Sequence, residues 1–277
     1  MIGDTGDSVL QHDLEVATSI QRSFLPERLP HLPGAELAAS MRPAREVGGD
    51  FYDAIPLPGG RLGLLNADVS GKGIPAALYM ALARTLLRTH SLSAQPRYLT
   101  DALESAQVRR LMRSGSLGAL AALGAVRQAN DYLLTHHCEP VMFLTLFYAV
   151  YEPQSRLLTY VNAGHNPPLL HHAPSGEQEW LAPTDVAIGL MPGRLFESQE
   201  RRLSPGDALV LYTDGVTEAV NPAMELFDTE RLATAVRGLA DRSAGGILAG
   251  IADHVAAFSA GAPQADDLTL AILKVQP

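Results

Sequence analysis

The sequence predicts an α+β sandwich, and three observations predict it. Short runs rich in apolar and aromatic residues fall in two blocks, at 36–69 and 142–172, and recur at 207–214 and 267–275. Segments with helical periodicity lie between and after these blocks rather than after every strand, which argues against a strictly alternating parallel sheet. Strand runs are joined by connections as short as Pro153-Gln154-Ser155, so neighbours in sequence are expected to pair as hairpins. With 277 residues, 47% of them hydrophobic, the chain can bury the core of one large domain or two small ones.

Taken in order, residues 1–25 read as a helix on which Leu10, Leu14, Ala17 and Phe24 line one face, Gln21 interrupts it, and Pro26, Pro30 and Pro33 end it. That stripe either packs on the domain behind it or pairs with a second copy, which would make a homodimer. A division follows: a helical segment and linker at 1–30, then the main domain at 31–277. ELAASM, FYDAIPL and RLGLLNADV are strands separated by turns such as Pro58-Gly59-Gly60. Residues 74–90 form a helix with Pro75 in its first turn, where a missing N–H costs nothing, and with Leu78, Leu82, Ala83, Leu86 and Leu87 as its apolar face. The stretch 97–134 is helical in pattern and is expected to be broken by Gly115, Gly118 and Gly124. MFLTLFYAVYE, RLLTYVNA and PPLLHH are strands. A loop-rich stretch leads to the strand DALVLYTD, helices at 229–239 and 244–259, and a closing strand DLTLAILKV.

Composition excludes several functions. Thirty acidic against twenty-one scattered basic residues give a formal charge of −9, so no footprint for a nucleic acid or an anionic membrane is expected. One cysteine, Cys138, allows no internal disulfide, and the first ten residues carry aspartates where a signal peptide needs a basic then an apolar segment, so the chain reads as cytoplasmic. The longest apolar windows, 117–126 and 141–150, are about half the roughly 20 residues a membrane-spanning helix needs.

Chemistry is expected at four acidic turns, each at the mouth of a strand: Gly48-Gly49-Asp50, Asp68-Val69-Ser70-Gly71-Lys72-Gly73, Thr213-Asp214-Gly215 and Ala265-Asp266-Asp267. A single Asp-Gly is ordinarily a turn. Four together imply more, because carboxylates gathered at one edge repel unless a cation intervenes. Oxygen-only ligands select hard ions such as Mg²⁺ or Mn²⁺. Two such ions can bring the pKa of a shared water toward about 7 and clamp a phosphoryl oxygen, which is the chemistry of phosphate-ester hydrolysis.

EVGGDFYD (46–53), DVSGKGIPAAL (68–78), NAGHNPP (162–168), PGDALVLYTDGVTEA (205–219) and DDLTL (266–270) resemble, in order and spacing, the SpoIIE/RsbU branch of the metal-dependent protein phosphatase 2C (PPM) superfamily, and SIQRSFLP (19–26) resembles the stretch before its catalytic domain. The resemblance implies a four-layer αββα sandwich of two antiparallel sheets flanked by helices, with two Mn²⁺ or Mg²⁺ ions in an edge cleft. It implies hydrolysis of phosphoserine or phosphothreonine on a protein, by this branch an anti-sigma-factor antagonist in a partner-switching circuit. By position, Asp50 and Asp68 would ligate or bridge the metals, Val69 would offer its carbonyl, and Asp214 and Asp266 would complete one metal's shell. Asp267 is expected to be a hydrogen-bonding neighbour and Asp53 to face away from Asp50. The competing expectation is a catalytically silent PPM-like module that regulates a partner by contact.

Two departures from the superfamily stand out. Ser70 occupies the place of a histidine thought to protonate the leaving group in eukaryotic members, so no general acid is named. Arg45 has the spacing of a phosphate-binding arginine and is carried as a candidate for that role. Other motifs fall away. Cys138 has Leu144 where a thiol phosphatase places arginine, and Gly71-Lys72-Gly73 lacks the rest of a nucleotide-binding loop, leaving Lys72 as a turn residue at the rim. Gly48-Gly49-Asp50-Phe51-Tyr52 departs from the cyclase signature GGDEF at its last two positions. The His136-His137 and His171-His172 pairs lack the spacing of a zinc protease and read as loop or strand-edge residues, and His165 reads as structural support.

Overall fold

The computed structural model describes residues 4–93, 117–136 and 142–276. Cys138 and His137 lie outside them, as does the first part of the helical pattern at 97–134. Sheet I runs β2(Phe51–Leu57), β3(Arg61–Val69), β4(Leu144–Glu152), β5(Leu157–Ala163), β8(Gln199–Arg202). Sheet II runs β1(Ala35–Arg42), β10(Leu268–Val275), β9(Ala208–Tyr212), β6(Leu169–His171), β7(Gln178–Trp180). All the strand pairings are antiparallel. Helices α2(Ile74–Leu92) and α3(Leu117–His136) cover sheet I, and α5(Asp228–Leu239) and α6(Ala244–Ser259) cover sheet II. The result is the four-layer αββα sandwich, with one core beneath each helical layer and a third between the sheets.

Alternation along each strand sorts these cores. Phe51, Ile55 and Leu57 of β2 face the helices, while Tyr52 and Ala54 face sheet II. In β3, Leu65, Ala67 and Val69 point outward and Leu62 and Leu64 inward, so a strand buried on both faces reads as a nearly continuous apolar run. The polar exceptions are Asn66, buried in β3, and Asp53, which faces α2, away from Asp50 as expected, and is fully buried between Arg84, at 2.9 Å, and Arg88, at 2.7 Å. Helix α2 starts with Pro75 in its first turn after Gly73 at φ 72°, a conformation that favours glycine. Helix α6 is capped by Ser243, whose hydroxyl accepts the Gly246 N–H at 3.1 Å.

Four expectations need correction. Leu78 is 68% exposed, and the buried face of α2 is Ala76, Tyr79, Met80, Ala83, Arg84, Leu87 and Ser91, a stripe rotated from the leucine-rich one because small and mixed side chains fit against sheet I. Gly118 and Gly124 do not break α3, which runs through both, since a glycine inside a packed helix costs only about 1 kcal/mol. The loop-rich stretch holds the two short strands β7 and β8. Gln21, read as an interruption of the stripe on α1(Asp4–Phe24), is instead buried and anchors it: its Nε2 donates to the Gly48 carbonyl at 2.5 Å, and its Oε1 accepts the Gly48 N–H at 3.1 Å. Leu14, Ala17 and Phe24 are half-buried, whereas Val9, Val16 and Ile20 are exposed on the helix. Among the described residues no helix is long and apolar enough to cross a membrane.

Candidate metal centre

Each acidic residue is delivered by a strand end. Asp50 immediately precedes β2, Asp68 is the penultimate residue of β3, Asp214 opens the single turn α4(Asp214–Thr217) behind β9, and Asp266 and Asp267 precede β10. The first two come from sheet I and the others from sheet II, so carboxylates of both halves meet at one edge of the sandwich.

Asp50 is buried, and its Oδ2 accepts two hydroxyl hydrogen bonds of 2.6 Å, from Thr213 and Thr269. Burial and the neighbouring Asp68 carboxylate push its pKa well above the ordinary carboxylate range, against the pull of those two donors. Asp68 is pushed up to about 7, by burial first and then by Asp214 and Asp266, with the hydrogen bond it shares with Asp50 acting the other way. Asp214 is raised by burial, by Asp266 and by Glu218. Four carboxylates therefore lie in one another's field at a site short of positive charge. Among the described residues no three acidic, histidine or cysteine side chains stand ready at metal-ligand spacing. The donors meet at one edge of the sandwich without forming a closed cage.

Asp267 serves the backbone. Its Oδ1 accepts the Ala44 N–H at 2.8 Å and its Oδ2 the Gly49 N–H at 2.8 Å, which holds the loop before Asp50. Glycine is required around it: a Cβ on Gly48 would lie 1.9 Å from Asp267 Oδ2, and one on Gly215 would lie 2.0 Å from the Asp267 carbonyl oxygen. A Cβ on Gly49 would reach to 2.9 Å from the Val69 carbonyl oxygen, which places that carbonyl against the residue before Asp50. Gly215→Ala must displace backbone, so it is expected to cost roughly 1–3 kcal/mol of stability in a denaturant titration, the range for overpacking a tight site.

Arg45 is exposed on the loop before Asp50 and bonds to no carboxylate among the described residues. Ser70 is engaged with Phe143, whose carbonyl accepts the Ser70 N–H at 2.9 Å and whose N–H donates to the Ser70 hydroxyl at 3.1 Å. His165 is buried, with Nδ1 at 2.8 Å from the Thr145 hydroxyl and its backbone N–H donated to Asn162 Oδ1; burial holds the ring neutral, its pKa lowered to about 3. Thr145 is the cross-strand partner of Asp68, so this pair braces the strand behind the cleft. Sequence reasoning missed Thr213 and Thr269, and it placed Lys72 at the rim without its bond to Asp266. The threonines carried a signal, since each lies within two positions of an acidic residue at the same strand mouth.

An αββα sandwich with acidic strand ends meeting at one edge defines the PP2C class of fold. The family profile of Stage II sporulation protein E (SpoIIE) matches residues 58–276, and the chain belongs to that family, in the SpoIIE/RsbU branch of the PPM superfamily. It is 37% identical to Protein IcfG of Synechocystis sp. over 82% of this chain and 36% of the relative, and 26% identical to Phosphoserine phosphatase RsbU of Bacillus subtilis over 80% and 59%. The chain thus spans between about a third and three fifths of the length of these curated relatives. The SiaA-PP2C domain of Pseudomonas aeruginosa superposes over the whole of both chains with a TM-score of 0.76 at 21% identity.

Proposed function

We propose that this chain is a metal-dependent protein serine/threonine phosphatase that uses two Mn²⁺ or Mg²⁺ ions in the cytoplasm. The observation that carries the reading is the meeting of Asp50 and Asp68 from one sheet with Asp214 and Asp266 from the other, oxygen donors without histidine or thiolate, which suits hard divalent cations. Asp50, Asp68, Asp214, Asp266 and the Val69 carbonyl are the ligands in this reading. When bound, the ions supply Lewis acidity toward the phosphoryl group and activate water near neutral pH.

The chain's own residues do the rest. Thr213 and Thr269 hold one oxygen of Asp50, and the Asp50 carboxyl group shares a hydrogen bond with Asp68. Asp267 fixes the loop that carries Asp50, and the Thr145–His165 pair supports the strand that carries Asp68. The name of the relative Phosphoserine phosphatase RsbU supports a phosphoserine substrate, and the family resemblance implies phosphoserine or phosphothreonine on a protein, by this branch an anti-sigma-factor antagonist in partner switching. Arg45 is carried as a phosphate contact on its loop position alone.

Hydrolysis of p-nitrophenyl phosphate and of a phosphoserine protein is expected with Mn²⁺, to be lost on adding a chelator, and to be lost in Asp214→Asn. No turnover would leave the chain a silent binding module, and turnover indifferent to both changes would overturn the metal-dependent reading.

A further inference from the structure

We infer that Lys72 anchors a phosphoryl oxygen of the substrate, the role that the spacing of Arg45 suggested for an arginine; this rests on the phosphatase reading above. Lys72 stands between Gly71 at φ 92° and Gly73 at φ 72°, two positions that favour glycine and where no atom lies within 4 Å of an added Cβ. The loop therefore sits in open space at the mouth of the cleft and reaches across to the start of β10. There the Lys72 ammonium donates to Asp266 Oδ2 at 2.6 Å and to the Ala265 carbonyl at 3.0 Å. An ammonium has three donors, and this pair of bonds uses two. The Lys72 side chain is 45% exposed, so the remaining donor is open to a ligand.

Charge points the same way. A phosphomonoester enters as an anion, and the cleft presents Asp50, Asp68, Asp214 and Asp266. Among the described residues Lys72 is the one cationic side chain bonded to any of these four. Arg84 and Arg88 are tied to Asp53 on the opposite face of sheet I, and Arg45 bonds to none of the four. An oxygen bound beside Asp266 would meet the open donor with no rearrangement of the loop.

The test uses the full chain loaded with Mn²⁺ and inorganic phosphate as the probe, by calorimetry, with Mn²⁺ affinity titrated separately. Lys72→Met is expected to weaken phosphate binding about tenfold, the size of a charge-assisted hydrogen bond, with Mn²⁺ affinity no weaker than in the parent, and Lys72→Arg is expected to recover most of the loss. Unchanged phosphate affinity in Lys72→Met would overturn the assignment. So would Mn²⁺ affinity falling in step with it, because Lys72 would then be a positioning residue for Asp266. A parent chain that binds phosphate through Lys72 yet hydrolyses no phosphoserine would sink the phosphatase reading and leave this site standing.

Discussion

Asp68→Asn is expected to abolish hydrolysis and, at the same time, to make the metal-free chain more stable at neutral pH. The first effect is a loss of roughly 10³-fold or more in kcat/KM, since in the proposed reading Asp68 is a metal ligand, several kcal/mol of Lewis-acid assistance depends on it, and each 1.36 kcal/mol is a factor of ten. The second follows from the field at the cleft. An acid whose folded pKa is pushed up, here from 3.8 to about 7, is held charged at a cost that begins above pH 4 and grows until about pH 7. Stability of the metal-free chain should therefore fall as pH rises through that window. The amide of the Asp68→Asn variant has nothing to titrate, so the slope should shrink without vanishing, because Asp50 is shifted in the same direction. Thermal melts of both chains between pH 5 and 8 with a chelator present measure this. A variant less stable than the parent throughout would contradict the electrostatic account.

Asp53→Ala should give the largest loss of stability of any single change at the sheet I–α2 contact. The carboxylate is fully buried, receives both Arg84 and Arg88, and accepts the Ala54 N–H at 2.9 Å. Its removal strands the Arg84 guanidinium, 10% exposed, beneath the helix. Breaking one partner of a buried ion cluster costs about 3–5 kcal/mol, on the order of 10 °C in Tm for a chain of this size. Asp53→Leu combined with Arg84→Met should recover most of it, because apolar groups of similar volume replace a buried pair without its desolvation penalty. Denaturant titration of the single and double variants checks both claims, and a double variant as unstable as the single one would refute the second.

The α+β sandwich was legible because its long elements obey strong local rules, and its four-layer form came from the family resemblance of the motifs. β2 and β3 have the boundaries read from FYDAIPL and RLGLLNADV, and α6 has the range 244–259 read from the sequence. The strands β7 and β8 were not legible, since three and four half-exposed residues carry no periodicity and exist only through pairing with β6 and β5. The candidate site divides in the same way. Aspartates beside glycines announce themselves, whereas Gln21 and Lys72 act through partners 27 and 194 residues away, on other elements, and no local pattern encodes such a distance. Leu78 misled for a related reason: hydrophobicity marks a candidate face of a helix, but sheet I selects which face is buried.

The last of the ten strands is not an edge. β10 is inserted between β1 and β9, and it brings Thr269 along with the preceding Asp266 and Asp267. During synthesis, everything upstream can be made and partly collapsed while the acidic pocket is still missing a wall. A polypeptide interrupted just before residue 266 would own Asp50, Asp68 and Asp214 but lack Asp266, Asp267 and Thr269, and would leave an empty slot between β1 and β9 in sheet II. In the proposed reading the acidic site would stay incomplete until the final strand pairs with β1 and β9, and a chain truncated near residue 264 would be expected to lack turnover.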